Sequence, residues 1–436
     1  MGLFNQFPFT NFHEMNLDWL INEVKKIKND ISEIDIPISK YTNVLALGVV
    51  NDGKTPVESN QIKTEEYLYF PSGYYLINND IDFSNKNVIC ENDTYFTGVG
   101  RIEANNTFIE NGNYLMTNGN IKVLDGKNRF VNCNFSAKTT NSNDIVIFKS
   151  EHTIIDRCAF DGGNVSRFGI WNDVSEDNCF FTVENSIFKN YYLNAIFSSA
   201  ENGYISNCYF YSNHGQTNPT GGGQVDFVQK SKVSHHTIIG CYFMSPATNV
   251  TSAIETEGGN ITVIGCYCNI KGGLYGIAGQ NTSEIVAIGN VFDCDINQKA
   301  IFSKNNESNF YLIGNIYEGT EYPYKLQGKN CVICEKPVSN VYSPDEVSLG
   351  FPYIINGTIV NKTFAQNDVV RLFYSGSGFI SITADGKEQR YYYEHPGTLN
   401  KIYGEEVSGL SVYIQQYYIE VKNTGTSDKK IIIKRE

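Results

Sequence analysis

Short apolar runs recur about every 25 residues through the middle of the chain, and each places a small or amide side chain at the same point. The runs span residues 131–135, 155–160, 183–188, 205–210, 239–243, 264–268, 288–292 and 313–317. Apolar and polar residues alternate within each run, which indicates a strand rather than a helix. A unit of this length buries its apolar face only when neighbouring units stack on it, so the repeat predicts a solenoid.

A second short strand precedes the small or amide residue of each run by roughly 11 to 16 residues. These strands start at Ile147, Ile170, Ile196, Val225, Ile254, Ile277 and Ile301. Two strands per coil, repeated at least eight times, predict an all-β protein built on a right-handed parallel β-helix, which we expect over residues 41–337.

The first forty residues have a different pattern. Apolar side chains step by three and four at Leu17, Leu20, Val24, Ile27, Ile31 and Ile34. This heptad seam predicts an α-helix in segment 1–40, and Ile at both core positions of the seam favours a trimer. A single amphipathic helix packed on its own domain is the alternative. After Cys334 the repeat stops, and residues 338–436 alternate strands with Gly, Asn and Asp turns, which predicts an antiparallel β-sandwich that serves trimerisation or receptor binding.

Charge and cysteine content exclude several classes of function. The net charge of −13 argues against a nucleic-acid partner, since phosphate binding needs clustered Lys and Arg. No stretch has the length of a transmembrane helix, so we expect no membrane insertion. The first residues lack the basic region and apolar core of a signal peptide, so we expect synthesis in a cytoplasm. Six of the eleven cysteines lie in or beside the repeat, which predicts a reduced thiol stack in the interior rather than disulfides.

Two segments add a family resemblance. The Asp52-Gly53 turn, the corner at 70–76 and the solenoid that follows resemble the entry to the pectin-lyase-like fold of bacteriophage tailspikes. Segment 11–20 is similar to the N-termini of tail or neck appendage proteins of small podoviruses of low-GC Gram-positive hosts. The resemblance implies a virion component that attaches to phage tail or neck proteins through its N-terminus and binds a polysaccharide or teichoic acid of the host surface.

Acidic residues stand beside aromatic ones at predicted outward positions of the second strands. If the Ile or Val that starts each strand points inward, the residues one and three later point outward. The first of these rows then contains Trp171, Phe197, Asp226, Glu255 and Phe302, and the second contains Asp173, Glu257 and Gln280. A glycan groove needs both kinds of residue, because sugar rings stack on aromatic faces and glycosidic cleavage needs a carboxylic acid and a carboxylate.

We therefore predict a catalytic set and a substrate-binding set. The catalytic candidates are Asp226, Glu255 and Glu257, whose spacing permits either stereochemical outcome and slightly favours inversion. The substrate-binding candidates are Trp171, Asp173, Phe197, Gln280 and His214, the last in the long loop before Asp226. We assign no metal site and no cofactor. Ca²⁺ ligation by the same acids, or a merely solvated acidic face, are the alternatives left open.

Three functions remain at this stage. Lyases of this fold usually use a basic side chain, often Arg, and the absence of Arg from 168 to 370 leaves only Lys candidates such as Lys230 and Lys271. Hydrolysis by carboxylates is therefore favoured over elimination. The sequence predicts a virion tailspike that binds a host glycan and hydrolyses it, and the rivals are an adhesive fibre without turnover and a purely structural fibre.

Overall fold

The computed structural model describes the chain from residue 38 onward, with gaps. The described residues are 38–136, 139, 142–172, 179–213, 223–229, 234–244, 252–271, 273, 275–281, 283–295, 298–303, 308–320, 324–326, 332–334, 346–348, 353–354, 358–364, 366–367, 369–373, 377–394, 398–414 and 418–435. The predicted helical seam from Leu17 to Ile34 lies outside them, so the helix and its trimeric association stay predictions.

Most of the described chain winds into a parallel β-solenoid, which confirms the predicted β-helix. Each regular coil gives one strand to each of three parallel sheets, here called A, B and C, with 14, 12 and 11 strands. The prediction of two strands per coil is therefore wrong. Helical structure in the described part of the chain is limited to the 3-10 turns Ile38–Lys40 and Val44–Leu47 and the α-helix Ser59–Ile62.

The strands of each sheet follow chain order from the first coil to the last. Sheet A contains Thr42–Asn43, Tyr67–Phe70, Asn87–Cys90, Phe108–Glu110, Lys127–Val131, His152–Asp156, Phe180–Glu184, Asn202–Ser206, His235–Ile239, Asn260–Ile264, Glu284–Ile288, Asn309–Ile313, Val332–Cys334 and Tyr353–Ile354. Sheet B contains Asp52–Pro56, Gly73–Ile77, Thr94–Gly98, Asn113–Tyr114, Asn134–Phe135, Ala159–Asp161, Ile187–Lys189, Tyr209–Tyr211, Tyr242–Met244, Tyr267–Asn269, Val291–Asp293 and Ile316–Glu318. Sheet C contains Ile81–Asp82, Ile102–Asn105, Ile121–Asp125, Asn143–Ile147, Phe168–Asn172, Asn194–Ser198, Gly223–Val228, Ser252–Glu257, Tyr275–Gln280, Lys299–Ser303 and Tyr324–Lys325.

A sharp corner divides each repeated run into a strand of sheet A and a strand of sheet B. The corner residue has a positive φ in every one of the eight coils, and these residues are Asn132, Arg157, Asn185, Asn207, Gly240, Gly265, Gly289 and Gly314. Gly and Asn adopt this left-handed conformation at the lowest cost, which explains their recurrence. The runs were read as single strands because the corner is only one residue long.

The small or amide side chain after each corner, here called the rung residue, satisfies the backbone of the preceding coil. The Ser186 hydroxyl accepts a hydrogen bond of 3.0 Å from the N–H of Cys158, and Asn290 Oδ1 accepts one of 2.8 Å from the N–H of Cys266. Thiols take the same place, since the N–H of Cys208 lies 3.4 Å from the Sγ of Cys241. The nine cysteines whose side chains the structure describes are buried and free, as predicted.

A column of aromatic rings runs beside the rung residues inside the solenoid. Its members are Phe96, Tyr114, Phe135, Phe160, Phe188, Phe210 and Phe243. Successive centroids are 4.4 to 5.2 Å apart, which matches the strand spacing of about 4.8 Å. The packing that one coil cannot supply alone thus comes from identical positions of its neighbours.

The C-terminal strands form two further sheets around a core of their own. Sheet D contains Glu346–Ser348, Val369–Phe373, Tyr418–Asn423 and Leu410–Ile414, and sheet E contains Thr358–Phe364, Lys429–Arg435, Ser377–Ala384, Lys387–Glu394 and Thr398–Gly404. All of these pairs are antiparallel except that of Glu346–Ser348 with Val369–Phe373. Ile380 and Ile382 of sheet E share one buried cluster with Ile419 and Val421 of sheet D, which confirms the predicted sandwich.

Candidate functional site

The predicted row of acids and aromatics exists on the outer face of sheet C, and it is here called the sheet C row. Consecutive coils pair in register through Trp171, Phe197, Asp226, Glu255, Ala278 and Phe302. Val225 and Phe227 on either side of Asp226 are fully buried in the solenoid core, so the Asp226 side chain points outward. Aromatic side chains therefore flank the two acids on both sides, over about 24 Å of sheet at the usual strand spacing.

Although both acids point outward as predicted, neither is accessible to solvent to any large extent. Asp226 is 6% exposed and Glu255 is 1% exposed, although both lie on the outer face of the sheet. Glu257, which is paired in register with Val228 and Gln280, is half-buried. Of the three predicted catalytic residues, Glu257 is thus the one whose side chain reaches solvent. Strand alternation predicts which way a side chain points, but it does not predict what covers that side chain.

Gln280 connects the two glutamates. Its Nε2 donates a hydrogen bond of 2.8 Å to Oε1 of Glu257 and a second hydrogen bond to Oε1 of Glu255. The amide therefore fixes the relative positions of two like-charged groups, one buried and one half-buried. We predicted Gln280 as a substrate ligand, and its contacts are those of a residue that positions carboxylates.

The aromatic end of the row is partly accessible. Trp171 and Phe197 are half-buried and occupy neighbouring coils. Phe168 packs beside them, with ring centroids 5.4 Å from Phe197 and 6.5 Å from Trp171. The guanidinium of Arg167 lies 5.1 Å from the centre of the Phe168 ring. This end of the row offers apolar ring surface of the kind that sugar rings contact.

One aromatic residue at the other end, Tyr275, was missed from the sequence, and it stacks on Phe302 of the predicted outward row. The rings of Tyr275 and Phe302 are parallel within 1° and 3.9 Å apart. Burial, and secondarily the charge of Glu255, raises the pKa of the Tyr275 hydroxyl above its ordinary value. Tyr275 lies two residues before the inward Ile277, a position that our outward rows did not include. The sequence feature that could have identified this position is an aromatic residue two positions before the inward isoleucine of the strand.

Two of the predicted binding residues, Asp173 and His214, lie outside the described residues, so their roles stay predictions. Within the described ranges, no group of three or more His, Cys, Asp or Glu side chains has the arrangement of a metal site. In the same part of the chain, no helix is long and apolar enough to cross a membrane.

No protein-family model and no curated protein matches the chain. Among solved structures, the tailspike protein of Acinetobacter phage vB_ApiP_P1 is 12% identical, with a TM-score of 0.41 over 92% of this chain and 88% of that one. The tailspike gp49 of Acinetobacter baumannii bacteriophage Fri1, a capsular polysaccharide depolymerase, is 11% identical, with a TM-score of 0.35 over 91% and 85%. The A-module of the Azotobacter vinelandii mannuronan C-5 epimerase AlgE6 is 14% identical, with a TM-score of 0.49 over 68% and 99%. Several of the matching structures are phage tailspikes, the class that the sequence resembles, and this chain has the parallel β-solenoid architecture.

Proposed function

We propose that this chain is a bacteriophage tailspike or appendage whose sheet C row binds a glycan of the host surface and hydrolyses it. The observation that carries the proposal is the shared amide of Gln280, which holds the carboxylates of Glu255 and Glu257 together beside aromatic surface. Glycosidic hydrolysis needs two carboxyl groups at a fixed separation. Phe197 and Trp171, which lie two and three coils before Glu255, supply the stacking surface for the sugar.

The separation of the two glutamates bears on the mechanism. Two oxygens that accept from one amide nitrogen lie within about 6 Å of each other, because each N–H···O bond is at most about 3.2 Å long. Carboxyl groups about 5 to 5.5 Å apart are typical of retaining enzymes, and wider pairs are typical of inverting ones. The Glu255 and Glu257 pair therefore favours retention. Asp226 with Glu257 is the more distant pair, for which the sequence slightly favoured inversion.

A receptor-binding fibre without turnover is the second candidate, and a specific observation favours it. Asp226 and Glu255 are almost fully buried, so a bound glycan would contact Glu257 and the aromatic residues first. Those contacts suffice for binding. Catalysis additionally requires that at least one further carboxyl group reaches the scissile bond.

One experiment separates the two candidates. Purified protein is incubated with capsule and cell-wall fractions of the host, and new reducing ends or phosphomonoesters are measured. We expect product from the wild type and a loss of about 10³-fold or more in the triple variant Asp226→Asn, Glu255→Gln, Glu257→Gln, with glycan binding retained. Glu318→Gln is the matched control, since Glu318 is an exposed acid of sheet B.

Each result has a defined meaning. Cleavage by the wild type that is unchanged in the triple variant contradicts the carboxylate mechanism. Glycan binding by the wild type without any product identifies the adhesive fibre. Activity that a chelator abolishes and that Ca²⁺ restores indicates that the acids act as metal ligands. Analysis of the first-formed anomer distinguishes retention from inversion.

We also propose that the protein works as a homotrimer that joins the phage tail or neck through segment 1–40. The heptad seam supports this assembly, because Ile at both core positions favours three strands. Multi-angle light scattering of the full-length chain at micromolar concentration should give three times the chain mass. A monomeric mass under the same conditions contradicts the proposal.

A further inference from the structure

Apart from the sheet C row, the solenoid has a depression on the outer face of sheet A, three or more coils before the acids of sheet C. Its volume is about 200 Å³, which is below the usual range for pockets that enclose a whole organic ligand. Its principal lining side chains are Asn106, Phe108, Lys127, Arg129, His152 and Ile154. Phe108, Arg129 and Ile154 pair in register on consecutive coils, and Lys127 pairs with His152. We call this depression the Arg129 pocket.

The Arg129 pocket has a charge that is unusual for this chain. The protein carries a net charge of −13, yet the cations Lys127 and Arg129 line the pocket and no carboxylate does. Burial, followed by the charge of Lys127, lowers the pKa of His152, so this third lining residue is a neutral imidazole at pH 7. Lys127 is exposed, whereas Arg129 and His152 are half-buried. A cluster of one sign inside a concave, partly desolvated surface attracts ions of the opposite sign.

Arg129 retains hydrogen-bonding capacity. Its Nε is buried without a hydrogen-bond partner, and its guanidinium lies 5.9 Å from the centre of the Phe108 ring. Within the described residues, no Asp or Glu lies within ion-pair distance of Arg129, and the nearby Asp156 pairs with Arg157 at 3.1 Å. Burial lowers the pKa of the Arg129 guanidinium, and the more distant charges of Asp156, Glu110 and Glu184 oppose this shift. An arginine keeps its charge in a protein. The pocket therefore contains a charged planar group that contacts the Phe108 ring and whose Nε–H makes no hydrogen bond within the fold.

The frame around these cations is held by the coils themselves. Oδ1 of Asn106 accepts a hydrogen bond of 3.0 Å from the N–H of Lys127, and Oδ1 of Asn128 accepts one of 3.2 Å from the N–H of Thr107. His152 Nε2 lies 2.9 Å from the hydroxyl of Thr182 on the next coil. These polar groups of the frame, His152 included, are thus occupied, and Lys127 and Arg129 are left to contact a ligand.

We propose that the Arg129 pocket binds a single oxyanion group, a phosphate or a carboxylate, either free or as a substituent of a polymer. A guanidinium matches both groups through two parallel N–H···O bonds, and Lys127 adds a point charge at the rim. The small volume fits one such group rather than an oligosaccharide. The site is on sheet A and not on sheet C, so it does not depend on the proposed hydrolysis.

The test uses the full-length protein and isothermal titration calorimetry with inorganic phosphate and, separately, acetate. We expect saturable binding of at least one of them, and the stronger ligand identifies the source as phosphate or carboxylate. Arg129→Gln should weaken that binding about tenfold or more, since hydrogen bonds between charged groups contribute about 1.5 to 3 kcal/mol. Lys127→Gln, a change of an exposed side chain that leaves the fold intact, should weaken it less.

Arg157→Gln is the matched control. It removes the same charge from the neighbouring coil, but Arg157 is paired with Asp156 and does not line the pocket. Its binding should stay within about twofold of the wild type. The proposal is wrong if neither anion binds saturably to the wild type. It is equally wrong if Arg157→Gln and Arg129→Gln weaken binding to the same extent, because that result indicates general attraction rather than a site.

Discussion

The rung residues inside the solenoid and the sheet C row on its outside recur with the same coil spacing, but their compositions differ. Inside, Cys, Ser and Asn replace one another, because each must be small and must accept a hydrogen bond from the coil before it. Outside, Trp171, Asp226 and Ala278 occupy equivalent positions although they share no chemistry. The rung residues repeat because packing and hydrogen bonding between coils require the same kind of side chain at each coil. The sheet C row faces outward, so core packing does not restrict its residues, and they differ from coil to coil.

The largest expected effect lies inside. Phe188 is fully buried, and its ring lies 4.4 Å from that of Phe160 and 5.2 Å from that of Phe210. Phe188→Ala would leave a cavity that stacked coils cannot close. We expect the free energy of unfolding to fall by about 3 to 5 kcal/mol, measured by urea denaturation. Phe148→Ala is the matched control, because Phe148 is 51% exposed, and it should cost less than about 1 kcal/mol. Equal losses in the two variants would contradict the contrast between inside and outside.

The second effect is a loss of activity with little loss of stability. Gln280→Leu removes the amide that holds Glu255 and Glu257, and it leaves two like charges next to each other. If the row hydrolyses a glycan, kcat should fall about 10²-fold while KM stays within about twofold, since the stacking surface is unchanged. The thermal unfolding midpoint should fall by no more than about 5 °C, because buried Glu255 loses one hydrogen-bond partner while Gln280 itself is only half-buried.

A fall in the unfolding midpoint that accounts for the lost activity would mean that Gln280 serves the fold alone. An increase of KM with unchanged kcat would return Gln280 to the substrate-binding role that the sequence first suggested. Both measurements use the same substrate fraction as the cleavage assay.

The β-helix was predictable from the sequence because its interior residues repeat from coil to coil. Stacked coils require equivalent residues at equivalent places, so the ladder from Cys133 to Asn315 identifies a β-helix before any geometry is known. The corner within each run was not recognised, although Asn or Gly stands before the rung residue in seven of the eight coils. Because each run was taken as one strand, the outer face of sheet A was not separated, and the Arg129 pocket was missed.

The third effect compares two adjacent histidines, one on each side of sheet A. His236 is buried with its ring stacked on Phe227 at 3.8 Å, and burial, followed by the charge of His235, lowers the pKa of His236 to about 3. The unfolded-state pKa is about 6.5, so the unfolded chain takes up a proton first as the pH falls. Protonation thus favours unfolding, and stability is lost progressively from about pH 6.5 down to about pH 3.

His236→Phe removes this proton uptake and keeps a ring against Phe227. Relative to the wild type, its free energy of unfolding at pH 5 should improve by about 2 kcal/mol more than it does at pH 8. His235→Phe is the control, because His235 is exposed on the outer face, and its pH dependence should match that of the wild type. Parallel stability curves for His236→Phe and the wild type between pH 5 and 8 would contradict the prediction.

The repeat pattern did not predict that Asp226 and Glu255 are buried. Alternation assigns each strand residue to a face, and it did so correctly for Trp171, Phe197 and both acids. Exposure depends in addition on what lies over that face, such as Gln280 over Glu255, and contacts of this kind join residues 25 positions apart. The direction of a side chain is a local property, and its accessibility is not.

The smallest effect tests the corner alone. Gly265 has a φ of 59°, and a Cβ added there would meet no atom within 4 Å, so a substitution adds backbone strain without a clash. Gly265→Ala should lower the free energy of unfolding by about 1 to 2 kcal/mol, the cost of the left-handed conformation for an ordinary L-residue. Gly265→Asn should cost about half as much or less, since Asn already occupies the equivalent corner at positions 132, 185 and 207. Denaturant unfolding of the two variants side by side is the measurement. Equal costs for Ala and Asn would show that the alternation of Asn and Gly at the corners does not arise from their backbone preference.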